Sequence, residues 1–189
     1  MTSKQLIQQS LAEATNIRHN TEKHFIDLAE EKLNRKPDSD SWSASECFQH
    51  LLLTNESYLK SFKNLLEGKQ FGSQNSDPFN QSFIHPFKHS FLGKFILHFV
   101  NPKTKMKSNT TKTFNPSHSK VEADVVRKFL LQHDQLVQMI SAMINYNLQE
   151  IKISSPINAR IKYNLGDTIR IIILHDQRHI QQAERAIRS

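Results

Sequence analysis

The sequence predicts an all-α protein, a four-helix bundle with a long crossover between the second and third helices. Four long segments repeat their apolar residues at helical intervals, and no segment of similar length alternates apolar and polar residues. The 189 residues contain only 4 Gly and 6 Pro, the two residue types that most disfavour helix interiors. A chain of this length can bury a sizeable core, and we expect residues 1–189 to form a single domain.

The first predicted helix runs from Gln5 to Asn34, where apolar residues recur at helical steps and neither Gly nor Pro intervenes. The stretch 36–40, which contains a proline and two aspartates, predicts a break. After it, Ser43 and Glu46 form the S-x-x-E pattern of a capping box, which marks a helix start. The second predicted helix begins there and continues to about Glu67.

The crossover begins with a loop at residues 68–82, which is rich in Gly, Ser, Asn and Gln. A short helix is predicted over Pro86–Val100, with the proline in its first turn. The segment 101–119 is irregular and basic, contains two prolines and is long for a loop, which is typical of a functional connection. The third long helix is predicted over Lys120–Leu148, and a break with a short turn separates it from the last helix, Asn164–Arg188.

The chain is basic, with a formal charge of +7 and a pI of about 9.5. The excess is local, because residues 78–121 contain no Asp or Glu but seven lysines, at positions 88, 94, 103, 105, 107, 112 and 120. This segment could attract an anionic substrate or a nucleic acid, or it could be a solvated lysine-rich loop. Since no nucleic-acid-binding motif accompanies the lysines, the sequence favours the second interpretation.

The single cysteine, Cys47, excludes an internal disulfide bond and a cysteine-rich zinc site. We interpret it as a small packed residue, with a soft metal ligand or a nucleophile as the alternatives. The polar N-terminus does not resemble a signal peptide. The most apolar stretch, 83–100, is interrupted by Lys and His and does not predict a membrane span. We therefore expect a soluble, cytoplasmic protein without a membrane partner.

His175 and His179 lie four residues apart in the last predicted helix, so both imidazoles project from one side of it. Two imidazoles in this arrangement can bind one metal ion, as in H-E-x-x-H sites. The Glu of that motif is absent, so a metalloprotease is not predicted. The pair lies at the edge of the apolar face, where an imidazole needs a hydrogen bond or a metal. Asp176 falls inside this face and must be paired, either by orienting a ligating imidazole or through a salt bridge to Arg or Lys.

The other histidines are weaker candidates for metal ligands. His50 lies two turns into the second helix, and it gains weight only if it meets the pair on the last helix. His133 lies in the apolar stripe of the third helix. It could be a fourth nitrogen ligand, a hydrogen-bond donor behind the ligands, or a residue at the edge of the core. His85 and His89 also lie four apart, but His85 precedes the helical part, so we do not expect them to share a face.

A combination of motifs resembles a known family. The first helix ends in Leu-Asn-Arg-Lys-Pro-Asp-Ser-Asp-Ser-Trp-Ser-Ala-Ser-Glu, and His50 follows four residues after Glu46. A basic, proline-containing crossover comes next, and the sequence His175-Asp-Gln-Arg-His179 lies close to the end of the chain. Over essentially the whole chain, this order is similar to that of the DinB/YfiT-like family.

The resemblance implies a four-helix bundle, often a homodimer, with one His of the second helix and two of the last around a divalent metal ion. Matched residue by residue, the implied ligands are His50, His175 and His179. Three neutral imidazoles suit Zn or Ni and leave a position at which water or a thiol can be activated. Relatives include metal-dependent hydrolases, and transferases or isomerases that use low-molecular-weight thiols such as bacillithiol or mycothiol. The resemblance thus implies an enzyme acting on a small molecule, and it assigns no catalytic residue.

The residues also allow two functions of other classes. The protein could be a non-catalytic binding module, in which the histidines are structural and the basic crossover at 88–120 binds an anionic partner. It could also bind a metal without catalysis, because no general base is evident near the histidines. Glu56, on the second helix, points away from His50 on a helical wheel.

Overall fold

The computed structural model describes residues 1–68, 86–104, 110–118, 121 and 124–189, so most of the loop predicted at 68–82 lies outside it. In these ranges the protein is mostly helical with one two-stranded sheet, which confirms the predicted all-α class. The helices are α1 (Ser3–Phe25), α2 (Glu30–Asn34), α3 (Ala44–Leu66), α4 (Phe91–Val100), α5 (Val125–Ala142) and α6 (Leu165–Arg188). The strands are β1 (Lys152–Ser154) and β2 (Lys162–Asn164). Within these ranges no helix combines the length and the apolarity needed to cross a lipid bilayer.

Four long helices form the bundle. Helices α1 and α3 each pack against both α5 and α6, so α1 lies diagonally opposite α3. The core between them includes the fully buried rings of Phe25, Phe48, Phe62 and Phe129. Removing large apolar side chains from water is the dominant favourable term in folding. The packing of α3 on α6 positions the site, because these two helices carry the three predicted metal ligands.

The predicted capping box starts α3. The amide of Glu46 donates to Oγ of Ser43 (3.2 Å), and the amide of Ser43 donates to Oε2 of Glu46 (2.8 Å). Asn164 caps α6 in a related way, since its side-chain oxygen accepts from the amide of Asp167 at 2.7 Å. The two caps define where each helix begins and hence on which side its histidines lie.

Two predicted helices differ at their boundaries in the first half of the chain. α1 ends at Phe25, and the separate helix α2 packs against α3. The prediction of one continuous helix to Asn34 was therefore wrong, because tertiary contacts override local helix propensity. In the crossover, α4 ends at Val100 as predicted, but it begins at Phe91 rather than at Pro86.

The third long helix also ends earlier than predicted. α5 stops at Ala142 and does not reach Leu148. Beyond its end, the side chain of Asn147 accepts hydrogen bonds from the amides two and three residues ahead, each at 3.2 Å. Such a bond offers the backbone an alternative to the helix. The predicted start at Lys120 lies outside the described residues.

The sequence prediction missed a β-hairpin directly before α6. Strands β1 and β2 pair antiparallel, with Ile153 opposite Tyr163. Each strand has three residues, which is too short for an alternating pattern to be recognised. Tyr163 is buried, and its hydroxyl lies 3.0 Å from that of Tyr58 on α3. The hairpin therefore ties the start of α6 to α3.

Asp167 anchors the crossover to α6. Its buried carboxylate accepts hydrogen bonds from Nδ1 of His89 (2.6 Å) and from both the amide (2.9 Å) and Oγ (2.6 Å) of Ser90. Gly93 lies against the same carboxylate, and a Cβ at this position would overlap it. His89 is thus part of a structural contact, and its predicted neighbour His85 lies outside the described residues.

We expect Gly93→Ala to lower the free energy of unfolding by about 1–3 kcal/mol, because the added Cβ overlaps the Asp167 carboxylate. At an unobstructed helical position the same change stabilises by about 0.5–1 kcal/mol, so the sign of the effect is diagnostic. Urea unfolding followed by circular dichroism measures it. Lys94→Ala, at an exposed position of α4, is the control and should barely move the midpoint. A Gly93→Ala midpoint at or above that of the wild type contradicts the close contact of α4 with α6.

Candidate metal centre

Three imidazoles converge between α3 and α6. His50, His175 and His179 each offer one ligand atom, and these atoms all lie within 4.8 Å of one another. The ring centroid of His50 lies 5.1 Å from that of His175 and 4.5 Å from that of His179, and the last two are 4.6 Å apart. The structure therefore brings together all three histidines singled out from the sequence.

The two helices position these rings by simple geometry. His175 and His179 are one turn apart on α6, so their side chains lie on the same side of that helix. His50 lies on the side of α3 that packs against α6. His50 and His179 are buried, with 4% and 9% of their surfaces exposed, and His175 is partly buried. The cluster thus lies at the edge of the core.

The orientation of His50 is set by a backbone group of the crossover. Its Nδ1 lies 2.7 Å from the carbonyl oxygen of Phe114. A carbonyl can only accept, so Nδ1 carries the proton and the lone pair of Nε2 faces the other two histidines. A second hydrogen bond of this kind is what fixes the tautomer of metal-binding histidines. No side-chain pattern could have predicted this contact, because every residue has a carbonyl oxygen.

The surroundings keep the three imidazoles uncharged. Burial holds the pKa of His175 well below its usual value, and the neighbouring His50 and Arg178 lower it further. Burial does the same to the pKa of His179, reinforced by His175. The pKa of His50 is also lowered by burial, although a backbone hydrogen bond and a nearby carboxylate oppose the shift. Neutral imidazoles keep the lone pairs that bind metals.

The donor set fits a divalent cation. Nε2 of His50 and Nε2 of His175 face each other at 3.2 Å. Among the described residues, Nδ1 of His179 is buried without a hydrogen-bond partner. The facing nitrogens of His50 and His175 are close enough to bind one ion, and a nitrogen of His179 lies within 4.8 Å of both. Sets of three histidines bind zinc, and imidazole also suits nickel. The cluster could therefore hold a metal ion.

Trp42 covers one side of the cluster. Its ring centroid lies 5.0 Å from that of His50, and it stacks on His179 at 5.8 Å with an interplanar angle of 28°. Trp42 was not among the predicted site residues, although it directly precedes the Ser43 cap. That adjacency is the available signal, because the residue before a cap lies close to the first turns of its helix.

Arg178 ties the crossover to the same region. Its Nη1 donates to the carbonyl oxygens of Asn101 (3.1 Å) and Thr104 (2.9 Å), just after α4. Arg178 lies between the two histidines of α6 in sequence, and burial lowers the pKa of its guanidinium. The candidate ligands therefore lie close to the positive charge of Arg178 and to the part of the crossover that Arg178 holds.

Asp176 is buried inside the apolar face of α6, as predicted, and its neighbour His133 is a buried histidine, closest to the interpretation as a residue at the edge of the core. Asp176 is fully buried, and within the described residues it pairs with no Arg or Lys and with no histidine of the cluster. Its Oδ1 accepts from Nδ2 of Asn55 at 3.0 Å, and its Oδ2 lies 3.4 Å from Nδ1 of His133. Nε2 of His133 contacts the carbonyl oxygen of Ala14 at 3.0 Å. His133 is thus a buried partner of Asp176 and not a fourth ligand, and spacing along one helix could not reveal a pair formed by α5 and α6.

Cys47 is a packed core residue. It lies one turn before His50, but only 1% of its surface is exposed. Burial raises the pKa of the thiol, and the charge of Glu46 raises it further. A protonated, inaccessible thiol is neither a nucleophile nor a ready metal ligand. The structure favours the first of the three interpretations drawn from the sequence.

The sequence profile of the DinB superfamily matches residues 13–183, a range that includes all three histidines of the cluster. The chain therefore belongs to the DinB superfamily, which confirms the resemblance seen in its motifs. Among curated proteins and among solved structures, none matches the chain significantly.

We expect Cys47 to react with Ellman's reagent only after unfolding, because burial both blocks access and keeps the thiol protonated. The measurement compares the rate of colour release in native buffer and in concentrated guanidinium chloride. The denatured protein, in which the thiol is free, serves as its own control. A native-state rate close to the denatured one would mean that Cys47 is accessible, and it would reopen a chemical role for this residue.

Proposed function

We propose that this member of the DinB superfamily is a divalent-metal-dependent enzyme that acts on a small molecule, with His50, His175 and His179 as the metal ligands. The observation that carries the proposal is the convergence of three neutral imidazoles, with ligand atoms within 4.8 Å of one another. They come from two helices, and His50 lies more than a hundred residues before the other two in the sequence. Nε2 of His50 and Nε2 of His175 lie 3.2 Å apart, as two ligands of one ion would.

We further propose Zn or Ni as the native metal. Among the described residues the cluster offers three nitrogens and neither a carboxylate nor a thiolate, a set that borderline cations favour over Mg²⁺ or Ca²⁺. When bound at such a site, the ion supplies Lewis acidity towards a water molecule or a thiol. The reaction is accordingly a hydrolysis or an S-transfer from a low-molecular-weight thiol, and the two differ in which of these groups is activated.

The residues around the cluster prepare it for this chemistry. The Phe114 carbonyl holds the proton of His50 at Nδ1 and keeps Nε2 available. Trp42 covers the ring of His179 and keeps water from that side. Arg178 places a positive charge near the ligands, which attracts an anionic group of a substrate. Among the described residues the ligand cluster contains no carboxylate, and we assign no general base.

A non-catalytic binding module is the second candidate, and the charge of the crossover favours it. Residues 78–121 contain no Asp or Glu, and Lys88, Lys94, Lys103 and Lys112 are exposed. Such a surface attracts an anionic partner without any metal. In this function the three histidines only pack the bundle.

Two further properties are proposed for the enzyme. A homodimer is implied by the family resemblance. A cytoplasmic location without a membrane partner agrees with the single buried cysteine, since reducing compartments keep thiols free.

We expect His50→Ala and His179→Ala each to abolish stoichiometric metal uptake while leaving the helical content unchanged. Each variant removes one of three ligands, and the exposed His19→Ala on α1 is the control. Elemental analysis of the purified proteins measures the metal. Assays with low-molecular-weight thiols and with simple esters and amides then measure activity in the same samples. Wild-type metal content in His50→Ala or His179→Ala, or activity that survives removal of the metal by a chelator, refutes the proposal.

The binding module predicts a different pattern. Retention on heparin or DNA should be strong and should fall steeply with salt, in a wild-type protein that contains no metal. Replacing Lys88, Lys94 and Lys103 together by Gln should reduce this retention. Stoichiometric metal with weak, salt-insensitive retention argues against the module and for the enzyme.

A further inference from the structure

Helix α6 carries two carboxylates with no exposed surface, Asp167 and Asp176. Burying a carboxylate is costly unless its oxygens are satisfied by hydrogen bonds or by charge. The two lie nine residues apart, about 13 Å along the helix axis. Their surroundings differ sharply, and the difference points to different roles.

Asp167 is satisfied. His89 and the amide and hydroxyl of Ser90 donate to it at 2.6–2.9 Å. Three donors satisfy most of what a carboxylate can accept. Its function is to hold the crossover on α6.

Asp176 is not satisfied to the same degree. Within the described part of the chain it accepts one hydrogen bond, from Asn55 at 3.0 Å. Its other oxygen lies 3.4 Å from Nδ1 of His133, and neither of these two atoms has a hydrogen-bond partner there. The carboxylate raises the pKa of His133 against the effect of burial, so the imidazole compensates part of its charge in a place where water does not screen it.

The position of Asp176 relates it to the histidine cluster. It follows His175 directly and precedes His179 by three residues, while its partner Asn55 lies five residues after His50 on α3. Its carboxylate lies in the same contact between α3 and α6 as the cluster, because it accepts a hydrogen bond from Asn55 of α3 at 3.0 Å. The cluster itself offers only neutral ligands, and the nearby Arg178 adds a positive charge. A divalent cation there needs a negative charge close by.

We propose that Asp176 is the buried counter-charge of the metal centre, a positioning residue that strengthens metal binding through space without ligating the ion. This inference rests on the proposed function. Asn55 and His133 hold the Asp176 carboxylate behind the ligands. One hydrogen bond and one contact at 3.4 Å leave part of its charge to act on the ion. Residues that support metal ligands in this way typically contribute 10–100-fold to affinity.

The rival explanation is a purely structural ion pair between Asp176 and His133. The two explanations predict different effects on metal affinity when His133, the partner of Asp176, is removed. If the pair serves only the fold, removing either member should weaken metal binding to a similar extent, through the same loss of structure. If Asp176 acts by its charge, removing His133 leaves that charge in place, or frees it, and metal affinity does not fall.

The test compares three variants by competition for Zn²⁺ with a chromophoric chelator. Asp176→Asn, which removes the charge and keeps the shape, should bind Zn²⁺ about 10–100-fold more weakly than the wild type. His133→Gln should bind at least as tightly as the wild type, even where urea unfolding shows that it is less stable. Glu184→Gln is the matched control, because it removes a partly buried carboxylate from the same helix, one that pairs with His24 and Arg188, and its affinity should be that of the wild type.

Several outcomes decide the matter. Wild-type affinity in Asp176→Asn, or equal losses in Asp176→Asn and His133→Gln, overturns the proposal. The visible spectrum of bound Co²⁺ should be the same in Asp176→Asn and the wild type, and a changed spectrum would mean that Asp176 alters the ligand set. Should Asp176→Asn fail to fold, Asp176→Ser removes the same charge and is expected to show the same loss. A wild-type protein that binds no Zn²⁺ refutes the proposed function itself, which distinguishes the two failures.

Discussion

The site depends on one packing contact, that of α3 against α6. This contact buries the imidazole of His50 against those of His175 and His179, and burial keeps all three uncharged. Uncharged imidazoles in a poorly solvated place need partners for their nitrogens. The packing of α3 against α6 therefore brings three nitrogen donors together and leaves them in need of a partner, which a bound cation would provide.

The crossover between α3 and α5 is part of this arrangement rather than a loop beside it. Asp167 holds His89 and Ser90, just before α4, on α6, and Arg178 holds the segment after α4. A third contact comes from the carbonyl of Phe114, which sets the tautomer of His50. The crossover, whose main feature in the sequence is its lysines, thus supports the ligands from outside the bundle.

Much of the fold was predictable because its signals are local. Helical periodicity located the four long helices, and the Ser43–Glu46 box located the start of α3. The spacing of His175 and His179 placed both on one side of a helix from the sequence alone. His50 entered only through the family resemblance, since a single histidine on α3 has no local sign of its partners. Predicted ends failed where a tertiary contact or a side-chain hydrogen bond replaced the helix, as after Phe25 and before Asn147.

By itself, the sequence determined the helical class, the register within each helix and the pair of histidines on the last one, because each depends on residues a few positions apart. Only the tertiary structure decided that Trp42 covers the cluster, that a backbone carbonyl orients His50, and that Asp176 pairs with Asn55 and His133. These contacts join residues far apart in the chain. They depend on how each helix is rotated and packed against its neighbours, which no local pattern specifies.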